Sequence, residues 1–327
     1  MLGKKLALDL GTGSLRVAVR GEGLAVVEPS VVARHRSGGY VAAGLAAAEL
    51  AGEPGLDLIR PLRDGGVADR EALAALLQHA VNRAAGRQRI FRPDVVLAVS
   101  PVMSDGDRLA ILDICADLGT RTAYLIEAPF AAAIGAGHSP TSGRGNLVAD
   151  IGAGTVDTAC VASEGTVAGR SLRGAGDALR NAVARRLEEN HGVVIAASVA
   201  EDIVASLACV GPHEERRMLV PVSGRAETVS VASTEIADLV DDHSREIAHA
   251  AEEVIREAPR ELLPDIQGGG LTLCGGGARL EGLDRYLGLQ TGCPVRVASD
   301  PQTCTIRGTQ LAAENLDVLR RSFMYIR

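Results

Sequence analysis

The sequence predicts an α/β protein built from two related halves, and three observations carry that prediction. One short motif is written twice, as LALDLGTGSLRVAV from Leu6 and as LVADIGAGTVDTACV from Leu147. Apolar stretches of strand and helix character alternate along the chain. The 327 residues leave room for two substantial cores, which Ala, Val, Leu and Ile must fill, because aromatics are only 2% and Trp is absent.

The two copies align residue by residue: Asp9 with Asp150, Gly11 with Gly152, Gly13 with Gly154, Ser14 with Thr155. Each reads as an apolar strand ending in a carboxylate, a turn whose glycines permit positive φ, and a second β-rich run. One copy alone reads equally well as an ordinary turn. A dinucleotide fingerprint is excluded, since Arg16 and Asp157 stand where its third glycine belongs and strand character, not helix, follows each turn. Duplication with the acid in register points instead to a pair of phosphate-gripping hairpins. Backbone N–H groups of Gly11, Thr12, Gly13 and Ser14 are expected on one side of a nucleotide, and those of Gly152, Ala153, Gly154 and Thr155 on the other. Asp9 and Asp150 would then flank a Mg²⁺, mainly through water.

The remaining elements follow in order. Leu6 to Val19 and Gly23 to Ala33 read as strands of a meander. Apolar residues at helical spacing run from Arg70 to Ala85 behind an Asp69 N-cap. Val95 to Ser100 is a buried strand, Asp105 to Leu118 a helix, and Thr122 to Ile126 the next strand. EAPFAAAIGAG is a helix with Pro129 in its first turn, and its alanines allow close packing against a neighbour. Beyond the second hairpin, Asp177 to Asn190 and Ser198 to Cys209 are helical, His213 to Val231 is a short β ribbon, and Ser233 to Glu257 is a long helix. Leu271 to Cys274 is the final buried strand. It runs into Gly275, Gly276 and Gly277, where a helix beginning near Ala278 would aim its N–H groups at the same ligand, close to an adenosine or α-phosphate.

Composition narrows the function. A net charge of -7 without a long basic run argues against nucleic acid as a partner. The six cysteines show no CxxC spacing and read as buried free thiols of a reducing cytoplasm. No HExxH or Cys/His cluster proposes a metal site built by the protein alone. Neither a secretory leader nor an apolar run of the ~18 residues that span a bilayer is present.

Taken together, EPSVVA from Glu28, VAAGLAAAELAG from Val41, IRPLRDGGVAD from Ile59, the run from Arg108 to Gly137, DIGAGTVD, LTLCGGGARLEGLD and TGCPVRVASDP from Thr291 cover nearly the whole chain. In this order they resemble the actin, sugar-kinase and heat-shock-chaperone ATPase superfamily, and within it the MreB and Mbl-type bacterial actins. The resemblance implies an actin-like duplicated fold of two domains, each a mixed β-sheet flanked by helices, with ATP and Mg²⁺ in the cleft between them. It assigns residues 1–145 and 305–327 to the first domain, with a small subdomain at about 30–65, and 146–304 to the second, with one at about 180–245. It further implies filaments of self or paralogous subunits on the inner face of the plasma membrane, in contact with cell-wall elongation proteins.

Departures from the family pattern qualify these implications. The glutamate expected to position the attacking water is replaced by Ala128, and its neighbour Glu127 points about 100° away on a helix. Hydrolysis is therefore expected to be slow or absent, unless Asp150 or another carboxylate compensates. The family's nucleoside clamp retains its acid as Glu201, but Val204 replaces the lysine and Ala197 another acid, which predicts weaker binding. The segment between Cys209 and Thr234 is short for a subdomain that makes filament contacts. Before Leu6 there is no room for an N-terminal amphipathic helix. Ile90 and Phe91 stand among Arg87, Arg89 and Arg92, as suits an apolar pair dipping among anionic headgroups; a core position for Phe91 is the competing reading. The alternatives in function are a pseudo-ATPase scaffold that joins a paralogous filament and a small-molecule kinase, for which no substrate base is evident. A chaperone ATPase would continue into a peptide-binding domain.

Overall fold

The computed structural model describes residues 3–86, 91–139, 141–162, 165–222, 228–316 and 324–326. The doubling seen in the sequence is a doubling of sheet topology. Strands β1 (Lys5–Leu10), β2 (Ser14–Val19) and β3 (Gly23–Pro29) form an antiparallel meander. A small three-stranded sheet follows, from β4 (Val32–His35), β5 (Tyr40–Ala43) and β6 (Leu56–Ile59), with helix α1 (Leu45–Ala48) between the last two. A tight hairpin of β7 (Leu62–Arg63) and β8 (Gly66–Val67) leads into helix α2 (Arg70–Ala85). Strand β9 (Asp94–Val99), helix α3 (Asp105–Asp117), strand β10 (Thr122–Glu127) and helix α4 (Ala128–Gly135) complete this part.

The second part repeats the plan. Strands β11 (Asn146–Ile151), β12 (Thr155–Ala162) and β13 (Gly165–Arg173) form a meander, followed by helices α5 (Ala175–His191) and α6 (Ala197–Leu207). A ribbon of β14 (Arg217–Pro221) and β15 (Thr228–Ala232) precedes helices α7 (Ala237–Glu257) and α8 (Leu263–Gly269). Strand β16 (Leu271–Cys274), helix α9 (Leu283–Thr291), strand β17 (Val295–Val297) and helix α10 (Cys304–Glu314) follow. A last strand, β18 (Met324–Ile326), returns to pair antiparallel with β10. The sheets run β18-β10-β9-β1-β2-β3 and β13-β12-β11-β16-β17. Apart from β18 they match strand for strand: the third strand from each meander edge pairs in parallel with the next, and that one with a further parallel strand.

Local chemistry explains the element boundaries. Asp69 caps α2 as the sequence indicates, its Oδ1 accepting from Ala72 N at 2.9 Å, and Leu73, Leu76, Leu77, Ala80 and Ala84 bury one face. The strand expected over Gly23 to Ala33 divides at Pro29–Ser30, because Ser30 turns back to bond the first glycine turn. The ribbon begins at Arg217, later than expected from His213. The helix expected from Ser233 opens instead as a single 3₁₀ turn over Ser233–Glu235, where Glu235 accepts from Ala232 N at 2.8 Å and α7 starts after it. Leu271–Cys274 is buried as expected, and two further short strands follow it, the partly exposed β17 and the edge strand β18. All six cysteines are buried and unpaired.

The two sheets are joined where α4 crosses α10. A Cβ on Gly135 would overlap the Cys304 carbonyl, and one on Gly308 would overlap the Ala131 carbonyl, so backbone meets backbone at both points. Ala128, Ala131, Ala132 and Ala133 of α4 pack with Cys304, Ala312 and Ala313 of α10, between Val96 and Ala98 of one sheet and Val148, Ala159 and Val161 of the other. Small residues are thus required on both helices, as the alanine run indicates. Gly308→Ala is expected to lower the unfolding free energy by about 1–3 kcal/mol through overpacking. In an isolated helix the same change would stabilise by about 1 kcal/mol. Urea unfolding that shows stabilisation would remove the close crossing as a constraint.

Candidate functional site

Both glycine turns are held by the same hydrogen bond. Gly11 N donates to Ser14 O at 3.2 Å in the first, and Gly152 N donates to Thr155 O at 2.8 Å in the second. The turns lie against each other: a Cβ on Gly13 would stand 2.9 Å from the Ala153 Cβ, and one on Gly154 would overlap the Thr12 side chain. None of Gly11, Gly13, Gly152 and Gly154 has positive φ. The conformational reason given by the sequence is therefore corrected. Gly13 and Gly154 are needed because the hairpins approach too closely for a side chain, whereas a Cβ on Gly11 or Gly152 would crowd the Ser14 or Thr155 carbonyl of its own turn.

Their polarity is one-sided. The Gly11 carbonyl accepts from Ser30 Oγ at 2.6 Å and the Gly13 carbonyl from Ser30 N at 3.2 Å. In the second turn the Gly152, Ala153 and Gly154 carbonyls accept from the N–H groups of Gly176, Asp177 and Gly174, at the start of α5. The N–H groups of Thr12, Gly13, Ala153 and Gly154 donate to no described residue. Each turn thus has occupied acceptors and open donors, the arrangement that favours an anion.

The acids meet behind the turns. Asp9 bonds Arg16, its partner in register across the hairpin, with Nη1 to Oδ2 at 3.2 Å. Burial raises the Asp9 pKa against the lowering effect of Arg16. Asp150 accepts from Thr305 Oγ1 at 2.8 Å, yet burial, with the negative charge of Asp9 next in importance, pushes it up to about 8. Two half-buried carboxylates that repel each other, on the strands that enter the open turns, are a donor set suited to a hard cation such as Mg²⁺.

The third glycine cluster joins the second hairpin. A Cβ on Gly275, whose φ is +80°, would lie 2.6 Å from Asp150 Oδ1, and Gly277 abuts the Ile151 side chain. The helix expected near Ala278 is not formed there. Gly276–Arg279 is one 3₁₀ turn, and α9 begins at Leu283 after Gly282, which has φ +82° and packs on the Val210 carbonyl. The helix dipole is therefore not directed through Ala278, which is buried.

Glu201 is exposed on α6 and forms no hydrogen bond or ion pair with a described residue. Phe91 is 49% exposed, against a core position, while Ile90 lies outside the described residues. Ala128 is 9% exposed and packed in the helix seam.

Sequence reasoning did not single out Arg16, Asp157, Ser100 or Thr305 for the site. Asp157 accepts from Ser100 Oγ and Thr155 Oγ1, each at 3.0 Å, and so ties the end of β9 to the second hairpin. Arg173 adds a second tie, donating to the carbonyls of Asp64 at 2.8 Å and Val102 at 3.1 Å. The available signal was positional, since Arg16 and Asp157 occupy the same place in the two copies.

Burial pushes Asp157 up to about 6 from 3.8, even with its hydroxyl donors. The folded state therefore binds more protons than the unfolded chain between these values, and this contribution to stability declines as pH rises through that window. For the metal-free protein, Asp157→Asn should reduce the loss of unfolding free energy between pH 4.5 and 7, measured in urea. Identical pH slopes in the two proteins would refute the assignment.

A family model described as MreB/Mbl protein matches residues 3–321. Cell shape-determining protein Mbl of Bacillus subtilis is 35% identical over 327 residues, covering 98% of each chain. Cell shape-determining protein MreB of Escherichia coli is 36% identical over 332 residues, covering 97% of this chain and 95% of its own. Among solved structures, MreB 5 of Spiroplasma citri bound to AMPPNP matches with a TM-score of 0.88 at 29% identity, covering 97% and 98%. The MamK double helical filament shares the fold, with a TM-score of 0.81 at 24% identity, covering 95% and 99%.

Proposed function

Since the chain belongs to the MreB/Mbl family, we propose that it is a bacterial actin-like cytoskeletal protein that binds ATP and Mg²⁺ between its glycine turns. The observation that carries this reading is the pair of abutting turns with open amides and occupied carbonyls above Asp9 and Asp150. Thr12, Gly13, Ala153 and Gly154 would receive phosphate oxygens, with Ser14 and Thr155 at the first position of each following strand. Gly275, Gly276 and Gly277 line the approach beside Asp150. Asp9 and Asp150 are the residues that would hold Mg²⁺, which when bound supplies positive charge against the phosphates. A MreB 5 structure holding AMPPNP supports the ligand class.

Filament formation, alone or with a paralogous subunit, is proposed from the named relatives and from the MamK filament fold. A role in cell shape follows from the relatives' names, and contact with cell-wall elongation proteins extends it. No helix among the described residues is long and apolar enough to cross a membrane, so the membrane contact we propose is peripheral, at Phe91 and the neighbouring Ile90. With Ile90 and Phe91 both changed to Ser, pelleting with anionic vesicles should fall several-fold. Unchanged pelleting would eliminate this surface.

Ala128 favours a second reading, a nucleotide-binding scaffold with little turnover. Ala128 opens helix α4 and offers no carboxylate to orient water. Isothermal titration should show binding of ATP with Mg²⁺, and single-turnover hydrolysis should be slow but rise at least tenfold in Ala128→Glu. No heat at millimolar ATP would overturn the nucleotide assignment. Fast wild-type turnover would overturn the scaffold reading, and negative-stain microscopy of the same samples tests assembly.

A further inference from the structure

The two hairpins differ in one chemically decisive position. In register, Asp150 faces Asp157, whereas its counterpart Asp9 faces Arg16. Asp157 has its carboxylate engaged by the Ser100 and Thr155 hydroxyls. Arg16 is almost unengaged. Of its five N–H donors, only one bond is formed with a described residue, Nη1 to Asp9 Oδ2 at 3.2 Å.

The guanidinium is nevertheless largely covered, at 18% side-chain exposure beside an Asp9 at 14%. Among the described residues, the buried side-chain polar atoms lacking a partner are Thr158 Oγ1, Thr166 Oγ1 and His213 Nε2. The remaining N–H groups of Arg16 therefore keep an opening to solvent. Arg16 lies two residues beyond Ser14 on the same face of β2, the strand that follows the turn whose Thr12 and Gly13 amides are open. A permanently charged fork of donors, held by one carboxylate on the strand that leaves the open turn, matches phosphate oxygens.

We propose that Arg16 is a resident phosphate-neutralising residue, a tethered cation that shares with the divalent metal the compensation of a bound polyphosphate. The proposal rests on the nucleotide-phosphate reading of the site. It adds that binding depends less on metal than a pair of bare carboxylates would require. Arg16 holds one oxygen of Asp9 in the free protein and presents its other donors to the phosphates. Without Arg16, both acids would need the metal for neutralisation before a polyphosphate could approach.

The test compares wild type, Arg16→Met and Arg16→Lys, each confirmed folded by its melting curve. ATP is titrated into each with Mg²⁺ and again with EDTA. Wild type should retain binding in EDTA, weakened less than about tenfold, whereas Arg16→Met should lose about tenfold or more relative to wild type in EDTA and recover with Mg²⁺. Arg16→Lys should fall between them, keeping charge without the planar fork. Separately, Mn²⁺ is titrated into nucleotide-free protein and followed by electron paramagnetic resonance. Arg16→Met should bind Mn²⁺ more tightly than wild type, because Asp9 has lost its internal counter-cation. Equal metal dependence in wild type and Arg16→Met, with unchanged Mn²⁺ affinity, overturns the proposal. Absence of ATP binding in every arm, with Mn²⁺ affinity still raised in Arg16→Met, overturns the nucleotide reading and supports Arg16 as the counter-cation of Asp9.

Discussion

At Gly135 and Gly308 two helices meet with no side chain between them, and the placement of both glycine turns follows from that contact. Helix α4 continues from β10 of the six-stranded sheet and packs on β11 and β12 of the other. Helix α10 follows β17 and packs back against β1, β2 and β9. Each sheet is therefore held by a helix that the other supplies, while Thr305, in the first turn of α10, stays with its own half and bonds Asp150. A longer side chain at either crossing would push the sheets apart, and with them the turns that touch at Gly13 and Ala153.

The turns themselves are shaped by hydrogen-bond economy. Ser30 on one side and the first residues of α5 on the other occupy the carbonyls, which fixes each loop while leaving its amides unpaired. Buried or half-buried N–H groups without acceptors are costly, so the folded protein carries a standing preference for an anion at this point. The acids beneath carry the opposite preference. A ligand combining phosphates with a cation satisfies both at once, and neither component alone does.

Much of this was legible in the sequence, though partly for the wrong physical reason. Repetition revealed the hairpins and the register of Asp9 with Asp150, and Asp69 and Pro129 marked helix starts because capping and first-turn proline are local effects. Glycine was read as a demand for positive φ; at Gly13 and Gly154 the actual demand is proximity to a hairpin far away in the chain, which calls for the same residue. Near Ala278 the chain forms only one 3₁₀ turn before Glu281 pairs with the segment at Cys209 and Val210, a contact invisible in local pattern. Arg16 and Asp157 were visible as letters that exclude a dinucleotide site. Their roles depend on cross-strand register and on Ser100, which only the fold supplies. Glu201, carried over from family resemblance, remains on an exposed helix face without a link to the turns.

Two identical hairpins related by a pseudo-twofold axis would have no means of telling one end of a phosphate chain from the other. With a cation behind one turn and an acid behind the other, the duplicated halves are no longer equivalent toward their ligand. One residue of divergence after duplication thus gives the cleft a direction.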